Sequence, residues 1–299
     1  MKHPATRNSL FCESAKIMEH HSLPADQYII RLQAPLTASH ARAGSFVHIK
    51  CNPDIPMRRP MSIMRSNALG GWIDIMFKIH GTGTKSLALC RPGDDLDLIG
   101  PIGKPFKQSD YTKHVLLIGG GVGIPPMIYL AEHIKRHAPD TRIMVIMGSE
   151  IPFPFTVKPS QIMVDGLPEG IIATMPLLDD WGVPCRLTSK QGYPGCFDGL
   201  VTELADYWLQ SLEETTRNQV EIFTCGPTPM LRAVSHLAQN YRLDCQVSME
   251  EFMACAVGGC AGCTVPVYTS GEVAMKRVCV DGPVFEGSSV FPLNSSKTG

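Results

Sequence analysis

The sequence predicts a β-barrel followed by an α/β domain with a parallel sheet and closed by a small cysteine-rich segment. Three observations carry this expectation. Short, turn-bounded apolar runs fill the first third of the chain, the pattern changes near Lys113 to strand, glycine turn and helix, and cysteines crowd together after Glu250.

In the first region the runs YIIRLQ (28–33), SFVHIKC (45–51), PMSIMRS (60–66), WIDIMFKI (72–79) and DLDLIGP (95–101) lie close to proline or glycine. Runs of this length and spacing read as the strands of a small barrel over residues 10–108. Within it, RRPMS places Arg58 and Arg59 beside the hydroxyl of Ser62 at the end of a barrel strand, a combination suited to a phosphate and the edge of a flavin ring, although an arginine beside proline is usually a solvated surface group. HGTGTKSLAL (80–89) follows as a glycine turn whose threonines can cap a helix, and whose N–H groups offer a second place for phosphate. An ordinary helix cap accounts for that stretch equally well.

From residue 111 to 248 the alternation changes. HVLLIGGG (114–121), a helix over 126–138 and RIMVIMG (142–148) form one strand-turn-helix-strand unit. Gly119, Gly121 and Gly123 sit where a backbone must approach a pyrophosphate at a helix N-terminus, although the spacing ends in proline rather than a third glycine. A helix at 203–212, the strand VEIFTCGP (220–227), a helix over 228–240 and the strand DCQVSM (244–249) complete the unit. Cys225, Gly226 and Pro227 form a second turn at the carboxyl edge of the sheet, where ligands of such folds gather. Cys225 reads either as a nicotinamide contact or as a small buried apolar residue. Glu150, after the second strand and with no arginine beside it, suits a ribose hydroxyl and would repel a 2'-phosphate, which favours NAD(H) over its phosphorylated form. The seven prolines between Pro152 and Pro194 predict a loop-rich insertion.

The remaining segment, 249–299, is too short to hold a core of its own. Its cysteines read C-x4-C-x2-C, Cys255, Cys260 and Cys263, followed after fifteen intervening residues by Cys279. That is the plant-type spacing for a 2Fe-2S cluster, with glycines and alanines freeing the backbone to wrap it. Zinc usually takes paired C-x2-C knuckles, and only one such pair is present.

Composition narrows the field. A formal net charge of -1 gives no electrostatic case for nucleic acid or an anionic membrane. The charged N-terminus lacks the apolar stretch of a secretory signal, and the uncharged run at 115–131 is broken by glycine and proline, so a cytoplasmic protein without a membrane span is expected. In that setting eleven cysteines point to cofactor ligation, catalysis or burial, not to a disulfide framework. The histidines show no mutual metal spacing, and no Ser/His/Asp set or carboxylate pair calls for hydrolysis.

Taken in order, R-P-x-S, the G-T turn, G-G-G-x-G-x-x-P, C-G-P-x-x-M-L and the four-cysteine tail resemble the ferredoxin-reductase-like flavoproteins, and within them the electron-transfer subunits of type B dihydroorotate dehydrogenases. The likeness runs over most of the chain and is most specific at MACAVGGCAGCTVPV with RVCVDGPVF. It implies FAD in the barrel, NAD(H) at the α/β domain and a 2Fe-2S cluster facing a partner. That partner would be an FMN-containing catalytic subunit, two copies of each forming a hetero-oligomer. By position, Arg59, Pro60, Met61 and Ser62 would meet the flavin and its phosphate. Met76, Phe77 and Lys78 would line it, Gly83 and Thr84 would lie at the pyrophosphate, and Cys255, Cys260, Cys263 and Cys279 would hold the cluster. Two departures stand out: Met61 occupies a place often aromatic in the wider family, and the stretch after Glu150 is longer than usual. Two other readings share the residues. One is the small subunit of an NADH-dependent ferredoxin:NADP oxidoreductase or a sulfhydrogenase, and the other is a non-catalytic docking module whose cysteines hold zinc.

Overall fold

Alternating inward apolar and outward polar side chains close the first six strands on themselves. The computed structural model describes residues 9–269 and 272–293, so positions 270–271 and 294–299 of the cysteine-rich segment lie outside the described residues. β1 (Phe11–Leu23), β2 (Gln27–Gln33), β3 (Phe46–Lys50), β4 (Arg59–Asn67), β5 (Trp72–Lys78) and β6 (Asp95–Ile102) form a closed barrel in the order β1-β2-β5-β4-β3-β6. Ile30, Leu32, Ile63, Ile75 and Leu98 are fully enclosed within it. Helices α1 (Pro35–His40) and α2 (Thr82–Leu89) occupy two of the connections. Five strands coincide with the runs singled out above, and β1 is the addition. Its first half pairs with β6 and its second half with β2, so one strand serves as the closing seam. The exposed Ser14 and Lys16 alternate with the buried Ala15 and Ile17, and Glu13 and Glu19 flank that pair, which keeps the strand's apolar content low.

Beyond the barrel, β7 (His114–Gly120) enters a short 3-10 turn at Gly121–Gly123 and then α3 (Ile124–His137), which leads to β8 (Arg142–Gly148). The proline-rich stretch is largely loop. It contains only the two-residue pair β9 (Lys158–Pro159) and β10 (Ala173–Thr174) and the short α4 (Pro176–Asp180) before it returns to the sheet as β11 (Cys185–Thr188). Arg186 of β11 is buried, and its guanidinium donates to the carbonyls of Ile162, Ile171 and Cys185 at 2.7–2.9 Å, so the loop is wound around one cation. Helices α5 (Val201–Ser211) and α6 (Glu214–Arg217), strand β12 (Val220–Cys225), helix α7 (Thr228–Tyr241) and strand β13 (Cys245–Ser248) follow.

The cysteine-rich segment ends in a hairpin, β14 (Thr264–Thr269) with β15 (Glu272–Arg277), and then β16 (Val284–Glu286) and α8 (Gly287–Val290). β16 pairs antiparallel with β13, so the segment shares the large sheet, and the Lys104 N–H donates to Gly282 at the barrel's end. The sheet order is β11-β8-β7-β12-β13-β16. Its five parallel strands, taken in chain order, lie third, second, first, fourth and fifth. The direction of winding therefore reverses between β7 and β12, the crevice where such sheets bind ligands. No helix among the described residues is long and apolar enough to cross a membrane.

Barrel and sheet are fixed to one another by polar contacts. Arg65 of β4 makes a two-point pair with Glu132 of α3, at 2.8 and 3.2 Å, while its guanidinium lies 5.3 Å from the Trp181 ring. Tyr129 Oη donates to the Ala41 carbonyl and Gln27 Nε2 to that of Pro152. The Glu132 side chain is only 7% exposed and keeps a second partner in Arg136. Arg65→Met is therefore expected to lower unfolding free energy by about 1–3 kcal/mol, the cost of weakening a partly buried charged hydrogen bond. Urea denaturation followed by tryptophan fluorescence measures this, and an unchanged midpoint would count against the seam.

Candidate functional site

At the switch point two glycine turns touch through their backbones. β7 and β12 are neighbours in register, with Gly119 opposite Cys225. A Cβ added to Gly123 would collide with the Cys225 carbonyl and the Gly226 nitrogen, and one on Gly120 or Gly226 would strike the Met230 thioether. Gly121 has φ +54, the left-handed region that favours glycine. Gly119, Gly121, Gly123, Cys225, Gly226 and Pro227 are thus brought together at one crevice. Burial pushes the Cys225 thiol up to about 12, so it is a neutral group at neutral pH. Glu150 stands two residues beyond β8, exposed, on the side of β7 away from β12.

The barrel supplies a second cluster. Gly83, in the first turn of α2, lies against Arg59 of β4: an added Cβ would sit 3.1 Å from Arg59 Nε and 3.3 Å from Cζ. A guanidinium and a helix N-terminus therefore share one spot, a cradle of positive character, with Arg59 Nη1 also donating to the carbonyls of Met57 and Arg58. The Thr84 hydroxyl is engaged locally, accepting from the N–H groups of His80 and Gly81 at 2.9 and 3.2 Å, and so shapes the turn. Along β4, Pro60 and Ser62 are half-buried and Met61 is buried. Met76 and Phe77 of β5 belong to the barrel core, with Phe77 stacked 5.4 Å from Tyr28, and Lys78 is exposed. β5 also touches the Gly121–Gly123 turn, which makes the two clusters adjacent. Arg58 is not part of the cradle, because Asp97 and the Asp97 carbonyl hold its guanidinium.

The cysteine loop is shaped by its backbone. Ala256, Gly258 and Ala261 have φ of +56, +82 and +52, and this coiling turns main-chain N–H groups toward sulfur. Cys260 N–H lies 3.4 Å from Cys255 Sγ, and Gly262 N–H lies 3.4 Å from Cys260 Sγ. Partial burial pushes the Cys255 thiol up, but hydrogen bonds from Val257, Cys260 and Gly259 outweigh it, and the group falls to about 7. The β14–β15 hairpin accounts for the distant fourth cysteine. Thr264 pairs with Arg277 at its base, and the Val278 N–H donates to the Cys263 carbonyl at 2.9 Å, so Cys279 returns beside Cys263. Burial first, and then Cys263, push the Cys279 thiol up to about 12.

Two thiol pairs result. The side chains of Cys255 and Cys260 interact directly, as do those of Cys263 and Cys279. No three histidine, cysteine, aspartate or glutamate side chains among the described residues gather around a single metal position. A centre of two irons would take two thiolates at each iron, which two such pairs can supply. The N–H groups aimed at sulfur suit thiolate ligands as well.

Two residues of this region were not anticipated. Glu250 lies just after β13, where barrel, sheet and cysteine segment meet; crowding and then Glu251 hold its carboxyl above the usual range while His80 acts in the opposite direction. Met230 fills the space between the two glycine turns. Their only sequence signals are position: one immediately precedes the cysteine loop, and the other lies in the C-G-P-x-x-M-L run.

Fold and site together define the class, a ferredoxin-reductase-like flavoprotein fold extended by an iron-sulfur binding segment. A chain from the NADH-dependent reduced ferredoxin-NADP oxidoreductase structure superposes with a TM-score of 0.73 at 26% identity, covering 93% of this chain and 90% of that one. The ferredoxin reductase of carbazole 1,9a-dioxygenase shares the fold, with a TM-score of 0.62 at 20% identity over 78% of this chain and 67% of that one. Residues 250–291 match the iron-sulfur cluster binding domain of dihydroorotate dehydrogenase B. The dihydroorotate dehydrogenase B (NAD(+)) electron transfer subunit of Geobacillus kaustophilus is 32% identical, over 88% of this chain and 92% of its own. That of Caldanaerobacter subterraneus subsp. tengcongensis is 29% identical, over 93% and 97%. The chain belongs to the family of dihydroorotate dehydrogenase B (NAD(+)) electron transfer subunits.

Gly123→Ala tests the contact that joins the two turns. The new methyl has backbone on its far side and cannot be relieved by a rotamer change, so a loss of about 1–3 kcal/mol in unfolding free energy is expected. Gly259→Ala, whose nearest neighbour is Cys255 Sγ at 4.0 Å, should change stability far less in the same denaturation experiment.

Proposed function

We propose that this chain is the electron-transfer half of a two-component dihydroorotate dehydrogenase, carrying electrons between a catalytic subunit and NAD(H). The observation that carries the reading is the pairing of Cys255 with Cys260 and of Cys263 with Cys279, on a chain whose barrel cradle adjoins a dinucleotide crevice. When bound, FAD supplies the exchange between a two-electron hydride and single electrons, and a 2Fe-2S cluster supplies one-electron transfer.

The protein's own contribution is placement. Arg59 and the first turn of α2 hold a pyrophosphate through charge and N–H groups, with Ser62 further along the same strand available to the flavin edge. The turn at Gly119–Gly123 lets main-chain N–H groups reach the dinucleotide pyrophosphate, and Glu150 accepts from a ribose hydroxyl. Cys225, neutral and buried, gives the nicotinamide a small wall without a competing charge. Hydride exchange between stacked rings needs orientation more than a proton donor, and none of the residues assigned here has to serve as a general acid or base. The thiolates of Cys255, Cys260, Cys263 and Cys279 hold the cluster, with loop N–H groups opposing their charge.

The partner in this reading is an FMN-containing subunit that oxidises dihydroorotate, two copies of each chain assembling together, with NAD as the final acceptor. The likeness to the NADH-dependent ferredoxin-NADP oxidoreductase favours a second reading of the same class, in which the electrons go elsewhere. The partner that co-purifies separates the two.

Purified anaerobically, the chain is expected to carry about one flavin, two irons and two acid-labile sulfides, with both visible bands bleaching on addition of NADH. A colourless protein with one zinc would overturn the reading, and so would dihydroorotate oxidation by this chain alone. Cys279→Ser should abolish the iron-sulfur absorption while flavin is retained. Arg59→Ala should weaken FAD binding by roughly 10- to 100-fold in fluorescence titration, the loss of a charge-assisted hydrogen bond.

A further inference from the structure

The barrel and the cysteine segment meet over one buried imidazole. His48 lies in β3 with 1% of its surface exposed, opposite Pro60 of the R-P-x-S run. Its neighbours Val47 and Ile49 belong to the barrel core, so alternation turns His48 to the outer face. Phe46, on that same outer face, packs into the apolar cluster that includes Met253, Cys263 and Cys279.

Neither Nδ1 nor Nε2 of His48 completes a hydrogen bond, although main-chain oxygens of Arg58 and Met253 lie near enough to favour a proton on the ring. Burial, followed by Arg58 and Arg59, pushes its pKa down to about 4, so the ring is neutral at neutral pH and carries one N–H and one bare nitrogen. Buried polar groups are nearly always paired, and an apolar residue would fill this site without the cost of orphaned nitrogens. Met253 precedes Cys255 by two residues, so a bond from His48 to its main chain would tie the first cluster ligand to the strand that carries Arg59 and Ser62.

We propose that His48 is a positioning residue: in the loaded protein its ring N–H donates to the main-chain oxygen of Met253 and fixes the separation between the flavin site on the barrel and the cluster site in the cysteine loop. The proposal rests on the reading of the chain as a carrier of both FAD and a 2Fe-2S cluster. Electron transfer is steep in distance, and a small displacement of reacting groups is costly in rate. The effect therefore belongs to the step between the two centres, not to the step between NADH and flavin.

The test uses holoprotein of His48→Ala, His48→Phe, His48→Asn and His48→Gln, each first shown to contain wild-type flavin, iron and sulfide. Anaerobic stopped-flow mixing with NADH resolves loss of the flavin band from loss of the iron-sulfur band. His48→Ala and His48→Phe are expected to slow the second phase by on the order of tenfold while the first stays within about twofold. At least one of the amide variants, which restore an N–H near Nδ1 or Nε2, should recover most of the lost rate. A His48→Phe protein with wild-type second phase overturns the proposal, as does an equal loss in all four variants, since either makes the ring a packing element only. Should His48→Ala fail to load, the comparison of Phe with Asn and Gln decides by itself. A wild-type protein lacking either band overturns the functional reading instead, and the absorbance before mixing reveals that case.

Discussion

No methyl group fits between Gly123 and the carbonyl of Cys225, and the arrangement of the molecule follows from that close approach. Two turns from strands far apart in sequence can lie this close only because glycine occupies the contact, and only where the winding of the sheet reverses. The contact gives the crevice two walls of bare backbone, one from each half of the sheet. It also decides what can stand in front of them. β5 comes up against the first turn, bringing the barrel with it, and the Arg65–Glu132 pair keeps it there. The cysteine segment joins the same sheet at its β13 edge through β16.

Much of this architecture could be read from residue order, and the rest fails to show for identifiable reasons. The barrel runs, the strand-turn-helix units and the cysteine spacing are local patterns, and each appears where its period or spacing indicates. β1 is hidden because it serves two neighbours along its length, so its inward positions carry alanine and isoleucine among charged residues instead of a clean apolar alternation. β11 is hidden for a different reason. Its four residues include a buried arginine whose partners are loop carbonyls, and a buried cation in a strand carries no sequence signal.

At the site the split is similar. That four cysteines act together is legible in their spacing, whereas their division into two pairs depends on the hairpin that returns Cys279 to Cys263. Arg58 and Arg59 look equivalent as neighbours, yet Asp97 of β6 removes one of them from the cradle. His48 is an ordinary alternating strand residue until the cysteine segment covers it. Partnerships of this kind belong to tertiary contact, and no single stretch of chain contains them.

The final strand gives the fold an order in time. β16 lies beyond all four cysteines in the chain, yet it completes the edge of a sheet whose other strands precede them. During synthesis from the N-terminus, the sheet is therefore still one strand short when the last thiol emerges, and the cysteine loop is an open bight between a formed domain and a strand not yet docked. Docking of β16 draws that bight shut against the barrel. A chain ending before residue 284 would carry all four cysteines and lack the strand that pairs with β13 at the edge of the sheet.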